Sequence, residues 1–225
     1  MIPELDKDVL AARIAKNIAA LVDSTTGQFV MNLGVGIPTM VSEYVTNPNI
    51  YLQAENGMVG VGPLAEGGDV HPMLINASRQ PVLETPGCSY MDSSASFGLI
   101  RGGHIDATVL GAFEVDQDAN VANWIIPNGK QLGVGGAMDL VTGARKVIIA
   151  MSHTNKGKSK LIKKCTLPVT GLGEVDVVVT ELAVFFVEKG RYVLKKIAPE
   201  VTVDDVKSVT ELAFEVDPKL EKMLA

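Results

Sequence analysis

The sequence predicts an α/β fold: an open, mainly parallel sheet flanked by helices and finished by a late antiparallel hairpin. Three observations predict it. Strand-like apolar runs at 29–33, 105–111 and 146–151 alternate with helix-like segments. Such alternation is how right-handed parallel crossovers are built. Val147 to Ala150 is apolar throughout, as a strand covered on both faces requires. Near the end, 182–187 and 192–197 flank Glu188-Lys189-Gly190-Arg191, a hairpin signature.

Each element has its own reason. From about Asp6 to Ser24, Leu10, Ile14, Ile18, Leu21 and Val22 recur at helical spacing. Gly27 is placed to end that helix. Phe29 to Leu33 reads as a buried strand. Gly34-Val35-Gly36 then turns the chain into a helix over Ile37 to Val45, with Pro38 suited to its first turn. Ile50 to Leu52 is the next strand, and Gln53-Ala54-Glu55-Asn56-Gly57 is the turn at its end. Residues 60–87 hold many glycines and prolines and read as a long irregular functional loop. Asp92 and its serine neighbours can cap a helix that stops at Arg101-Gly102-Gly103. His104, before the next strand, reads as a structural hydrogen-bonding residue. Gly133 to Gly136 opens a short helix ending near Gly143. Strands follow at 146–151 and 175–179, and a short closing helix at 204–212.

Composition narrows the function. The chain has 225 residues and is 47% hydrophobic. That is enough for a sizeable core and predicts one domain over 1–225. A net charge of −6 argues against a nucleic-acid surface. Cys88 and Cys165 lie far apart and outside any C-x-x-C spacing, so no metal or redox motif is visible. With no leader pattern and no apolar run of spanning length, a cytoplasmic protein without a membrane partner is expected. Lys156, Lys158, Lys160, Lys163 and Lys164 form a basic run that reads as a solvated loop face, or as a contact for ligand phosphates.

The candidate reactive group is Glu55. A strand that delivers one carboxylate to a tight turn among small residues is how an α/β enzyme presents chemistry. The same pattern also fits an ordinary Asn-Gly turn. Gly34-Val35-Gly36 lacks the third glycine of a dinucleotide fingerprint, so backbone N–H groups that hold an oxygen are the better functional reading, with Asn32 adding an amide. Gly135 and Gly136 repeat the theme. Asn76, Arg79 and Gln80 offer two amides and a cation within one turn.

Together, Asn32 to Pro38, Glu55-Asn56-Gly57, Asn76-Ala77, Arg101 to Asp106 and Gly135 to Leu140 resemble the β subunit of family I CoA-transferases, of the acetate, butyrate and acetoacetate type. The resemblance covers nearly the whole chain. One departure is Ser78, where members often have glycine. The resemblance implies that Glu55 attacks an acyl-CoA and becomes a glutamyl-CoA thioester, so that coenzyme A is a substrate attached transiently. It implies no metal and no permanently bound cofactor. It places Gly135, Gly136, Ala137, Asn32, Gly34 and Gly36 around the oxyanion and the thioester, and Asn76, Arg79 and Gln80 on the CoA arm. It also implies an α subunit as partner, in an α2β2 enzyme. The alternatives are a sugar-phosphate isomerase with Glu55 as general base, a ligand-sensing domain without catalysis, and an NAD oxidoreductase.

Overall fold

The computed structural model describes residues 2, 4–129 and 133–225. Helix α1 (Lys7–Val22) starts at Asp6, whose carboxylate accepts the Asp8 N–H at 2.9 Å. Ile14, Ile18 and Val22 are its buried stripe. The helix ends at Asp23, ahead of Gly27, so glycine does not cap it. The Asp23 side chain instead ties down the next crossover by accepting the Thr46 hydroxyl at 2.9 Å.

Strands β1 (Phe29–Leu33) and β2 (Ile50–Ala54) run parallel, Phe29 opposite Ile50. Their link is a 3-10 helix, Ile37–Glu43, rather than an α-helix. The Thr39 N–H closes on Gly36 O three residues back, while the Thr39 and Ser42 hydroxyls take carbonyls at 3.0 and 2.8 Å. Such side-chain bonds compete with the α-helical ladder.

The stretch expected to be one long loop holds two strands, β3 (Met58–Leu64) and β4 (Val82–Tyr90), in an antiparallel meander with β2. Its glycines serve the pairing. A Cβ on Gly62 would lie 2.7 Å from Leu83 O, and the β3–β4 register shifts on both sides of Val61.

Helix α2 (Ser93–Arg101) is capped by Asp92, which accepts the Ala95 N–H at 2.8 Å. Then come β5 (Ala107–Leu110), β6 (Glu114–Asp116), β7 (Val121–Ala122), α3 (Ala137–Gly143) and β8 (Val147–Ala150). The basic run forms β9 (Thr154–Asn155), β10 (Lys158–Ser159) and β11 (Leu161–Ile162), the last parallel to β6. After β12 (Val177–Val179), β13 (Ala183–Glu188) and β14 (Arg191–Ile197) make the expected hairpin. Helix α4 (Val203–Ser208) carries a Thr202–Asp205 capping box. Beyond it lies an unforeseen strand, β15 (Phe214–Lys222), parallel to β14.

One ten-stranded sheet results, ordered β15-β14-β13-β12-β8-β5-β1-β2-β3-β4. Its centre, β12-β8-β5-β1-β2, is wholly parallel, and Met31, Ile148, Ile149 and Val178 are fully buried there. Strand order reverses at β1: the chain steps to β2 on one side and returns to β5 on the other. In open α/β sheets the crevice beyond the carboxyl ends at such a reversal is where ligands bind.

Candidate active site

Glu55 sits at that crevice, one residue past β2. Its turn is fixed by the backbone. The Gly57 N–H donates to Ala54 O at 3.0 Å, and Gly57 O accepts the Met91 N–H at 2.9 Å. Gly57 has φ +127°, and a Cβ there would fall 2.1 Å from Met91 O. Only glycine fits, which ties the turn to the chain just before α2.

Below Glu55 lies a buried polar row. The Thr108 hydroxyl donates to Asn32 Oδ1 at 3.3 Å. Asn32 Nδ2 donates to Gln53 Oε1 at 2.7 Å and to Glu55 Oε2 at 3.1 Å. Gln53 Nε2 donates to Ser96 Oγ at 2.9 Å. Asn32, Gln53, Ser96 and Thr108 are all buried. A satisfied row of this kind holds each member in one orientation, and its last donor aims at the carboxylate.

The opposite wall is the loop before α3. A Cβ on Gly136 would lie 3.3 Å from Glu55 Cγ and 3.2 Å from the Phe97 ring. The loop is held by the Arg101–Asp139 ion pair, 2.6 Å, which joins α2 to α3. The Ala137 N–H donates to Val134 O within the loop, whereas those of Gly135 and Gly136 have no partner among the described residues. The Gly34 N–H is taken by Val109 O at 2.8 Å.

Glu55, Gly34, Gly135, Gly136, Ala137 and Arg79 line one cleft of about 620 Å³. Asn32 is buried and meets the cleft only through its hydrogen bond to Glu55. Gly36 and Gln80 line an adjoining hollow instead. Asn76 folds its own loop: Oδ1 accepts the Ser78 and Gln80 N–H groups at 2.9 and 3.0 Å. Ser78 then contacts the Thr39 hydroxyl at 3.1 Å, which fastens the Arg79 loop to the 3-10 helix.

The other candidate carboxylates lie elsewhere. Among the described residues Glu55 is the one carboxylate lining the cleft. Glu84 accepts the Tyr90 hydroxyl, and Asp139 is paired with Arg101. Burial, helped by Asp116, pushes the Cys165 thiol up to about 12. His104 is exposed, and its ring makes no hydrogen bond among the described residues, contrary to expectation. No group of three metal-ligating side chains occurs among them, and none of their helices is long and apolar enough to cross a membrane.

Gln53, Ser96, Phe97 and Thr108 were not anticipated at the site, and Lys160 was anticipated only as one member of the basic run. Only Gln53 left a signal, as a polar residue at a strand end beside Glu55. The rest are joined to the site by tertiary structure alone.

The sequence profile of the family described as Coenzyme A transferase matches residues 12–208. The chain belongs to the coenzyme A transferase family. It is 49% identical to the β subunit of an acetate CoA-transferase of Haemophilus influenzae over 219 residues, 96% of this chain and 95% of that one. It is 47% identical to one subunit of a succinyl-CoA:3-ketoacid coenzyme A transferase of Helicobacter pylori, covering 83% of this chain and 90% of the relative. Among solved structures, an acyl-CoA transferase of Escherichia coli O157:H7 shares the fold with a TM-score of 0.74 at 23% identity. The match takes in 100% of this CoA-transferase chain and 45% of that longer one. Family membership sets the isomerase, sensor and oxidoreductase readings aside.

Proposed function

We propose that this chain is the β subunit of a CoA-transferase that moves CoA between a short-chain acyl-CoA and a carboxylic acid through a thioester on Glu55. The observation that carries it is the one carboxylate lining the cleft among the described residues, steadied by Asn32 and packed beside Gly136, with the Gly135 and Gly136 N–H groups without a partner among those residues.

The chemistry runs in two halves. A Glu55 oxygen attacks the thioester carbonyl carbon. The resulting oxyanion collapses, the C–S bond breaks, and CoA leaves as thiolate from an acyl-glutamyl anhydride. The thiolate attacks the Glu55 carbonyl carbon and expels the acid as carboxylate, giving glutamyl-CoA. A second acid reverses both steps. Each addition creates an oxyanion, and the Gly135 and Gly136 N–H groups are the donors assigned to it; removing one such donor typically costs about a hundred- to a thousandfold in rate. Asn32 keeps Glu55 pointed at the carbonyl without neutralising it. Arg79 and Gln80 hold the CoA arm, and Asn76 shapes the loop that bears them. The two bacterial relatives are each one subunit of a CoA-transferase, which supports an α subunit as partner, and an α2β2 assembly is the form proposed.

The test uses the assembled enzyme, acyl-CoA and no acceptor acid. CoA should appear on the peptide spanning residues 53–57, in a bond cleaved by hydroxylamine. Glu55→Ala and Glu55→Gln should abolish both adduct and turnover while melting close to the parent. Adduct on another carboxylate, or normal turnover in Glu55→Ala, would overturn the reading.

A further inference from the structure

Lys160 was expected in a run that is either a solvated loop face or a contact for ligand phosphates. Its backbone is clamped instead: its N–H donates to His153 O at 3.1 Å and its carbonyl accepts the Val115 N–H at 2.9 Å. The side chain lines the same cleft as Glu55, beside Met151 and Ser152. It is half-buried, unlike its neighbours Lys158, Lys163 and Lys164, which are exposed. No hydrogen bond or ion pair holds its ammonium among the described residues. The nearest compensation is a through-space attraction to Glu181, whose carboxylate is already accepting the His153 N–H at 2.9 Å. Burial accordingly draws the amine down to about 8.

A secluded cation without a direct partner is costly unless something pairs with it. Among the described residues one other cation lines the cleft, Arg79, and that residue is exposed. The same cleft has apolar surface from Leu110, Phe113 and Met151, with Asn123 and Ser152 polar among them. A cation in a cleft that also carries apolar surface fits a short carboxylic acid: the carboxylate on the ammonium, the tail on the apolar lining.

We infer that Lys160 is the residue that holds the carboxylate of the acceptor acid while that acid attacks the Glu55 thioester. One acid oxygen adds to the Glu55 carbonyl carbon and the C–S bond breaks, releasing CoA as thiolate. The other oxygen accepts a hydrogen bond from Lys160 Nζ throughout, and no proton is transferred. The inference rests on the assignment of Glu55 as nucleophile.

The experiment therefore has two independent arms on the enzyme assembled with its α subunit. In the first, Lys160→Met is compared with the parent. The covalent CoA adduct should still form at equilibrium and the KM for acyl-CoA should stay within about twofold. The KM for the acid should rise by about tenfold or more, the ordinary worth of a hydrogen bond to a charged group. In the second, Glu55→Gln supplies a neutral side chain, as in the thioester, and does not consume the acid. Reductive methylation of Lys160, read by peptide mass, should slow at least about fivefold in acetate but not in chloride of equal ionic strength. Lys163 and Lys164 are the exposed controls on the same stretch and should not change. An acid KM within about threefold of the parent, or methylation indifferent to acetate, overturns the inference. If Lys160→Met does not fold, the methylation arm decides. If the parent itself forms no adduct, the Glu55 reading fails, whatever acetate does at Lys160.

Discussion

Gly136→Ala separates activity from stability more cleanly than any other substitution in the cleft. The residue has φ −86° and ψ 1°, which alanine adopts without strain. The added methyl would meet Glu55 Cγ at 3.3 Å and Phe97 Cζ and Cε1 at 3.2 and 3.3 Å. Carbon atoms rest at about 3.5–4.0 Å, so each contact is too close by a few tenths of an ångström. Phe97 is half-buried and can yield. Overpacking a tight core costs about 1–3 kcal/mol, and at a yielding site less. Against that, Gly→Ala stabilises by about 0.4–1 kcal/mol by restricting the unfolded chain. The two nearly cancel, so Tm should move by no more than about 3 °C for a chain of this size. Activity should not escape. A shift of about 1 Å in a reacting group can cost a hundredfold, so a shift of a few tenths should lower kcat by about tenfold. The assay is steady-state transfer by the assembled enzyme, with melting by differential scanning fluorimetry. Unchanged kcat at unchanged Tm would refute the claim that Gly136 is small to make room for Glu55. A Tm loss above about 10 °C would refute the claim that Phe97 yields.

Three further substitutions or conditions follow. Gly57→Ala should fail structurally: with φ +127° and Met91 O at 2.1 Å, the backbone must move, and at least about 2 kcal/mol and 4–8 °C of Tm should be lost. Asn32→Ala should lose both properties. It strips the donor from Gln53 Oε1 and the acceptor from Thr108, costing about 1–3 kcal/mol for each buried group left unpaired, and kcat should fall by about a hundredfold as Glu55 loses its guide; equal melting of mutant and parent would contradict this. Burial, with Lys160 nearby, lowers buried His153 from its ordinary 6.5 to about 4. The unfolded chain then binds the extra proton first, so stability is full above pH 6.5 and drains as pH falls toward 4, by about 2 kcal/mol between pH 7 and pH 5. Urea unfolding at the two pH values checks it, and His153→Gln should flatten that part of the profile.

The central sheet was legible because its signals are local. Val147 to Ala150 is apolar without interruption, and the Glu188 to Arg191 turn sits between two alternating runs. Glu55 was legible for the same reason: strand, small residues and acid are consecutive. Strands β3 and β4 were hidden by Gly60, Gly62, Pro63, Pro86 and Gly87, which alone suggest a loop. Their meaning is the close approach of the two strands, visible only once both are in place. Strand β15 was hidden by Pro218 and by its charges, which an edge strand tolerates because one side is unpaired. Lys160 was hidden by its lysine neighbours. Periodicity cannot tell which member of a basic run turns inward, because the clamp on it comes from Val115 on β6 and from His153 just before β9.

The asparagine beneath Glu55 suits the nucleophilic role proposed for that carboxylate. A cation at 3.1 Å would hold the carboxylate in its ground state and blunt its attack, since that attraction weakens as the oxygen charge is spent on the new bond. A bare apolar floor would leave the side chain free to rotate. An amide gives direction with a weaker hold, provided the amide itself cannot turn. Thr108 on Oδ1 and Gln53 on Nδ2 meet that condition, and Ser96 fixes Gln53 in turn. The row rests on β1, β2, β5 and α2, so the aim of one carboxylate is set by the rigid part of the sheet.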